Sequence, residues 1–252
     1  MGQAARGTIR PQRGSYGIDG GAIAIGALAA VLGTTAAETM WAWRRGRANL
    51  TLLSAAALGF SASIVAGYLY SSGPGKRSVW SELLEGLDLV GDEEILDVGC
   101  GRGAVLVLAA RRVPRGRAVG VDVWRTRDQS GNSARAAARN ARTEGVGDRV
   151  ELVDGDARSL PFPAASFDVV VSNLALHNIR DPFEREEALC EVVRVLRPGG
   201  RLVIADQGAT KYAEVFRELG CADVAVSSLD WRTSFGIPGH RLHLVSGSKH
   251  PL

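Results

Sequence analysis

The sequence predicts an α/β protein: a mainly parallel sheet covered by helices on both faces, with two apolar helices ahead of it. Three observations predict this. Beyond Val79, short β-rich runs alternate with helix-spaced runs, as parallel strands with helical crossovers require. A glycine-rich turn, Leu96-Asp97-Val98-Gly99-Cys100-Gly101-Arg102-Gly103, stands where a first strand should end and a helix begin. Two long uncharged stretches, Gly20 to Ala37 and Leu50 to Tyr70, precede all of it.

The apolar stretches come first in the chain. A membrane-spanning helix needs about 20 apolar residues at about 1.5 Å each. The second stretch reaches that length, and the first is slightly short. Trp41, Trp43, Tyr68 and Tyr70 fall at segment ends, where interfacial aromatics belong. Gly59, Ser63 and Gly67 are four apart, a small-residue face suited to close helix packing. Arg6, Arg10 and Arg13 would serve as the basic start of a signal peptide, but no cleavage site precedes the second stretch. Burial in a soluble core, or one span with the other segment in the interface, also satisfies the composition. With both ends cytoplasmic, Arg44, Arg45 and Arg47 would lie outside, against the positive-inside rule.

The expected organisation is a tail over 1–17, a membrane anchor of two helices over 18–70, a linker over 71–77 and a globular domain over 78–252. Ser71-Ser72-Gly73-Pro74-Gly75 marks the linker. Val79, Trp80, Leu83, Leu84 and Leu87 then follow helical spacing. Seven strands are expected, at Ile95–Val98, Ala118–Val123, Val150–Val153, Phe167–Ser172, Arg201–Ala205, Asp223–Ser228 and Arg241–Val245. Helices are expected between most of them, as at Ser133–Arg142 and Phe183–Val195.

Composition narrows the function. The chain is 46% apolar with a net charge of +3, which argues against disorder and gives no reason to expect DNA. Three scattered cysteines, Cys100, Cys190 and Cys221, fit a reducing compartment and no zinc site. His240 and His243 have no third ligand at suitable spacing, so no metal is expected. Arginines crowd the stretch between Gly103 and Glu144, a surface that could meet anionic headgroups or simply be solvated.

The glycine turn alone is ambiguous, since Gly99-x-Gly101-x-x-Ala104 also fits a dinucleotide fingerprint. Asp122, at the end of the second strand, can accept both hydroxyls of a ribose in either setting. Later segments discriminate. Asp154-Gly155-Asp156-Ala157 ends the third strand, before Leu160-Pro161-Phe162; a carboxylate there can accept from an adenine amino group. Phe167-Asp168-Val169-Val170-Val171-Ser172-Asn173 leads to Leu174-Ala175-Leu176-His177-Asn178. Leu196-Arg197-Pro198-Gly199-Gly200-Arg201-Leu202 feeds a central strand.

In this order and spacing, these segments resemble class I S-adenosylmethionine-dependent methyltransferases over about residues 78–247. The Leu160–Phe162 and Ser172–His177 segments resemble the branch that methylates quinones, sterols and other small molecules. The Asn-Pro-Pro-Tyr signature of base and protein amino-group methylation is absent after the fourth strand. The resemblance implies a Rossmann-like seven-stranded sheet and S-adenosyl-L-methionine as cofactor. It implies that Gly99, Cys100, Gly101 and Gly103 wrap the methionine moiety, with Asp97 near its ammonium. Asp122 and Val123 would hold the ribose side, Asp156 and Ala157 would face the adenine, and Asn173 would lie under the sulfonium.

The sequence departs from a plain helix start after Val123-Trp124. The polar run Arg125 to Asn132 there would cap the cofactor, touch substrate or stay solvated. His177 is the candidate general base, set against a plain pocket histidine. Asn178 and Trp231 are candidates for the acceptor site. The expectation is therefore a methyltransferase at the cell membrane, its catalytic domain cytoplasmic. Its partners would be a small, lipophilic acceptor and membrane lipid, with self-association through the apolar helices. A soluble acceptor, RNA, or a scaffold that binds the cofactor without turnover are the competing readings.

Overall fold

The structure, a computed structural model, describes residues 14–251. The basic residues Arg6, Arg10 and Arg13 of the expected tail lie outside the described residues.

Two apolar helices form an antiparallel hairpin: α1 (Gly21–Arg44) and α2 (Ala48–Tyr70). Each is long and apolar enough to cross a membrane by length and composition. Their side chains cover almost nothing; Ile23 is 76% exposed and Leu52 71%. Within the described residues the hairpin is therefore largely unburied. Of the small-residue face, Gly59 has open space where a Cβ would stand, and only Gly67 packs closely, against Gly236.

The expected linker is helical. Residues Ser71–Gly75 form one π-helical turn that runs without a break into α3 (Lys76–Glu85). A proline inside a helix removes one hydrogen bond and crowds the preceding turn. The wider π turn absorbs Pro74 at that point. Ser71, Ser72 and Gly75 are buried, so the segment is a packed joint.

Beyond it the chain builds the sheet. The strands are β1 (Glu94–Val98), β2 (Arg117–Asp122), β3 (Val150–Asp154), β4 (Phe167–Asn173), β5 (Leu196–Asp206), β6 (Cys221–Ser228) and β7 (His243–Lys249). Their order is β3-β2-β1-β4-β5-β7-β6, parallel except for β7, which is antiparallel to both neighbours. The helices are α4 (Ala104–Arg112), α5 (Ala134–Thr143), α6 (Pro182–Val195) and α7 (Ala209–Glu218).

Strand alternation sorts the core into two layers. Ile95, Val169 and Val171 face α3 and α4, packing with Val79, Trp80 and Leu84. Leu96, Val98 and Val170 face α6 and α7, packing with Leu189, Val192, Tyr212 and Phe216. This places Asp97 and Asn173 on the face that α3 covers. The strand order reverses between β1 and β4, and ligands bind beyond the strand ends at such a switch point.

Candidate cofactor site and its roof

A cavity of about 370 Å³ opens at that switch point. Asp97, Gly99, Cys100, Gly101, Asp122, Val123, Asp156, Ala157, Asn173 and Asn178 all line it. Gly103, the αL residue before α4, is close by in the turn but does not line it.

The glycine turn needs its glycines. Gly99 has φ 72° and Gly101 φ 55°, left-handed conformations that cost a residue with a Cβ. A Cβ on Gly99 would stand 2.2 Å from that of Ala175. The turn is tied to the second strand: Gly101 N–H donates to Asp122 Oδ2 at 2.8 Å. Asp122 Oδ1 accepts from Trp124 N–H at 2.6 Å and from Asn132 at 3.3 Å. Burial pushes the Asp122 carboxyl up, against the pull of these donors.

Asp97 is 2% exposed, and its Oδ2 has no hydrogen-bond partner. Burial, with Asp122 beside it, pushes its carboxyl up to about 7. A buried carboxylate oxygen without a donor is costly, and an ammonium group would satisfy it. This is the observation on which the cofactor's methionine end fits the residues present. Asn173 is fixed from above, since Trp80 Nε1 donates to its Oδ1 at 2.7 Å. Asp156 is held by Arg158 through three hydrogen bonds of 2.6–3.0 Å. That guanidinium keeps its carboxyl below the usual range.

Two features were not legible in the sequence. The segment Gly14–Gly20 is a strap along the cavity's edge. Tyr16 is buried, its hydroxyl donates to Glu144 at 2.7 Å, and Arg77 stacks over its ring at 4.4 Å. Ile18 N–H donates to Ser130 Oγ at 2.7 Å, and Gly20 N–H to the Asp128 carbonyl at 2.8 Å. Asp19 lines the cavity and sits 2.7 Å from Lys76 Nζ, itself a 5%-exposed lining residue. The polar run expected to cap or touch ligand joins this roof: Arg125, Arg127, Asp128, Gln129 and Asn132 line the cavity.

Two candidates fall elsewhere. His177 does not line the cavity. Its Nδ1 lies 3.2 Å from Asp206, a fully buried carboxylate at the end of β5. Burial alone would lower its pKa, but Asp206 outweighs that and raises it. The 3₁₀ turn Leu176–Asn178 sets this placement: one residue on, Asn178 faces the cavity while His177 points to β5. Trp231 stacks on Tyr70 at 5.4 Å with rings 9° from parallel, outside the cavity lining. It docks the hairpin's base, as do Phe235 on Tyr68 at 5.5 Å and Gly236 against Ile64. Among the described residues no group of three metal-binding side chains occurs.

Comparison with known proteins agrees with this geometry. Residues 96–204 match the family model of a methyltransferase domain. The chain is 36% identical over 153 residues to the 27-O-demethylrifamycin SV methyltransferase of Amycolatopsis mediterranei, covering 57% of this chain and 52% of that protein. The chain thus spans about half the length of this curated relative. The solved structure of the [4+2]-cyclase SpnF superposes with a TM-score of 0.56 at 21% identity, covering 68% of this chain and 81% of that one. The geranyl diphosphate methyltransferase in complex with SAM gives 0.55 at 18% identity, covering 69% and 85%. The match over residues 96–204 is to a methyltransferase domain, the fold is the one these solved structures share, and S-adenosylmethionine is the cofactor the cavity's residues suit. The likeness to SpnF marks that the fold alone does not fix the chemistry.

Proposed function

We propose that the protein transfers a methyl group from S-adenosylmethionine to a small, lipophilic acceptor at the surface of a cell membrane, with its catalytic domain on the cytoplasmic side. The carrying observation is that the roof of the cofactor cavity is also the base of the apolar hairpin. Gly21, at the start of α1, packs against the carbonyls of Thr126 and Arg127; Arg127 lines the cavity. The hairpin is fixed to the domain by helix and aromatic stacking, so a bilayer around it would hold the cavity at the interface. The hairpin's 24-residue first helix is about 36 Å long at 1.5 Å per residue. A hydrocarbon core is about 30 Å thick.

When bound, S-adenosylmethionine supplies an activated methyl group on its sulfonium. The chain's own residues then position and shield. Asp97 takes the ammonium, Asp122 the ribose and Asn173, held by Trp80, the reacting end. Reactant alignment accounts for much of such a rate enhancement. No histidine or tyrosine lines the cavity among the described residues. Burial keeps the Cys100 thiol protonated. An acceptor that arrives already ionised suits the site. For a neutral hydroxyl, the carboxylates of Asp128, Asp181 and Glu184 are the bases at hand.

A natural-product acceptor accords with the rifamycin-modifying relative. Membranes carrying the protein, supplied with methyl-labelled cofactor and a host lipid extract, should place label in one extractable species. Label only in water-soluble products would refute the lipophilic acceptor. Orientation is tested by an impermeant maleimide against Cys190, which is exposed on α6. Labelling only after permeabilisation supports the cytoplasmic side; labelling of intact cells refutes it. The tip arginines, two of which stack on Trp41 at 5.2–5.5 Å, would then face outward.

A further inference from the structure

The zwitterionic end of an amino acid needs two opposite charges. On the face of the sheet covered by α3, this cavity offers both. Asp97 carries an unpartnered buried oxygen. Lys76 is buried, lines the same cavity and lies close enough for its charge to favour ionised Asp97. Among the described residues, the one carboxylate on Lys76 is Asp19, with both of its oxygens 2.7 Å from Nζ. Asp19 belongs to the strap and not to the sheet domain, and the strap is pinned by backbone bonds to loop 128–130.

We propose that Lys76 binds the carboxylate of the cofactor's methionine moiety, and that Asp19 is a built-in stand-in for that carboxylate. Cofactor binding exchanges one carboxylate for the other on Lys76. Asp19 is released, and the strap loosens with it. The competing arrangement is a permanent clasp, in which Asp19 stays on Lys76 and neither touches ligand. The inference rests on the cofactor reading above, and its test separates the two.

The probes are S-adenosylmethionine and its decarboxylated analogue, which differ only in that carboxylate. Affinities are measured by calorimetry on the full chain in detergent. The wild type should prefer the carboxylate-bearing ligand by about tenfold or more, the worth of a charge-assisted pair. Lys76→Met should reduce that preference to less than about twofold, and Lys76→Arg should keep most of it. Asp19→Asn should tighten S-adenosylmethionine binding several-fold and leave the analogue unchanged. Hydrogen exchange at the Ile18, Gly20 and Ser130 amides should quicken on binding S-adenosylmethionine and not on binding the analogue. An undiminished preference in folded Lys76→Met overturns the Lys76 assignment. Weaker binding by Asp19→Asn, or slower exchange in the strap, overturns the displacement. Binding of neither probe by the wild type overturns the cofactor reading itself.

Discussion

Acid should weaken cofactor binding, and Asp97 is the group responsible. Its carboxyl is pushed up to about 7 by burial and by Asp122. An ammonium on its unpartnered oxygen favours the ionised form, so binding must expel the proton that Asp97 holds below pH 7. With the bound carboxyl fully ionised, the apparent dissociation constant scales as one plus ten to the power of seven minus pH. That gives about a tenfold weakening at pH 6 and about a hundredfold at pH 5, relative to the alkaline limit. At pH 6.5 about three quarters of a proton should leave per ligand bound. Calorimetry with S-adenosylhomocysteine, in buffers of different ionisation enthalpy, reads both quantities. The same group sets a stability trend of defined sign. Its folded pKa lies above the ordinary 3.8, so between these values the folded protein holds a proton the unfolded chain has lost. Stability from this group therefore falls as pH rises from about 4 to 7, by on the order of 4 kcal/mol. Asp97→Asn should raise the melting temperature at pH 8, have little effect at pH 4, and bind ligand weakly with no pH slope over 6–8. Flat wild-type affinity across that range, or an unchanged slope in the variant, would exclude Asp97 as the titrating group. A persisting slope would point to Asp122, whose carboxyl is also raised.

Three other substitutions separate the site from its frame. Asp122→Ala should cost about 2–4 kcal/mol in cofactor affinity and also lower the melting temperature, because the glycine turn loses the Gly101 hydrogen bond as well as the ribose its acceptor. His177→Ala should lower stability by about 1–3 kcal/mol through loss of the Asp206 pair, yet keep cofactor affinity and more than about a third of turnover. A folded His177→Ala protein whose turnover drops by about a hundredfold would restore the base. The His177 pKa is raised, so its contribution to stability is full below about 6.5 and is lost as pH rises through the folded value. Gly236→Ala should loosen the hairpin's base, since Gly236 has φ 74° and its Cβ would stand 2.2 Å from the Ile64 carbonyl. Faster proteolysis near residues 71–75 would report it, and wild-type resistance would refute the docking role.

The strand ends were legible because chemistry and geometry coincide there. Short β-rich runs end there on a carboxylate or glycine in the order that a ligand site at the strand ends requires, and Asp97, Asp122 and Asp156 all reach one cavity. The two-layer core follows from alternation along the strands, whereas the antiparallel direction of β7 is set by its pairing with β5 and β6 and was not read from the sequence. Other features depended on contacts that sequence does not display. Pro74 and two glycines read as a linker, but one π turn absorbs them and the helix continues. That misreading hid Lys76, one of only three lysines in the chain and the one placed at a buried joint. Tyr16 and Asp19 lay at the edge of an uncharged stretch, and their partners Glu144 and Lys76 are far along the chain. The offset of one position between His177 and Asn178 reflects a 3₁₀ turn, which periodicity does not resolve. Trp231 carried a real signal, an exposed aromatic in a loop, but its partner is Tyr70.

In the proposed function the hairpin brings the cavity to its acceptor and is not needed to build the cavity. The Tyr68 hydroxyl donates to the Asp19 carbonyl at 2.7 Å, so the hairpin's two ends are adjacent. Replacing residues 24–64 with a short flexible loop leaves the strap, Lys76 and the packed joint in place. The decisive measurement compares this shortened protein with the full chain for cofactor affinity and for methyl transfer into membrane-borne lipid extract. The shortened protein should keep cofactor affinity within about threefold and lose about tenfold or more in transfer. Equal transfer by the shortened protein, or loss of cofactor binding with the hairpin, would contradict it.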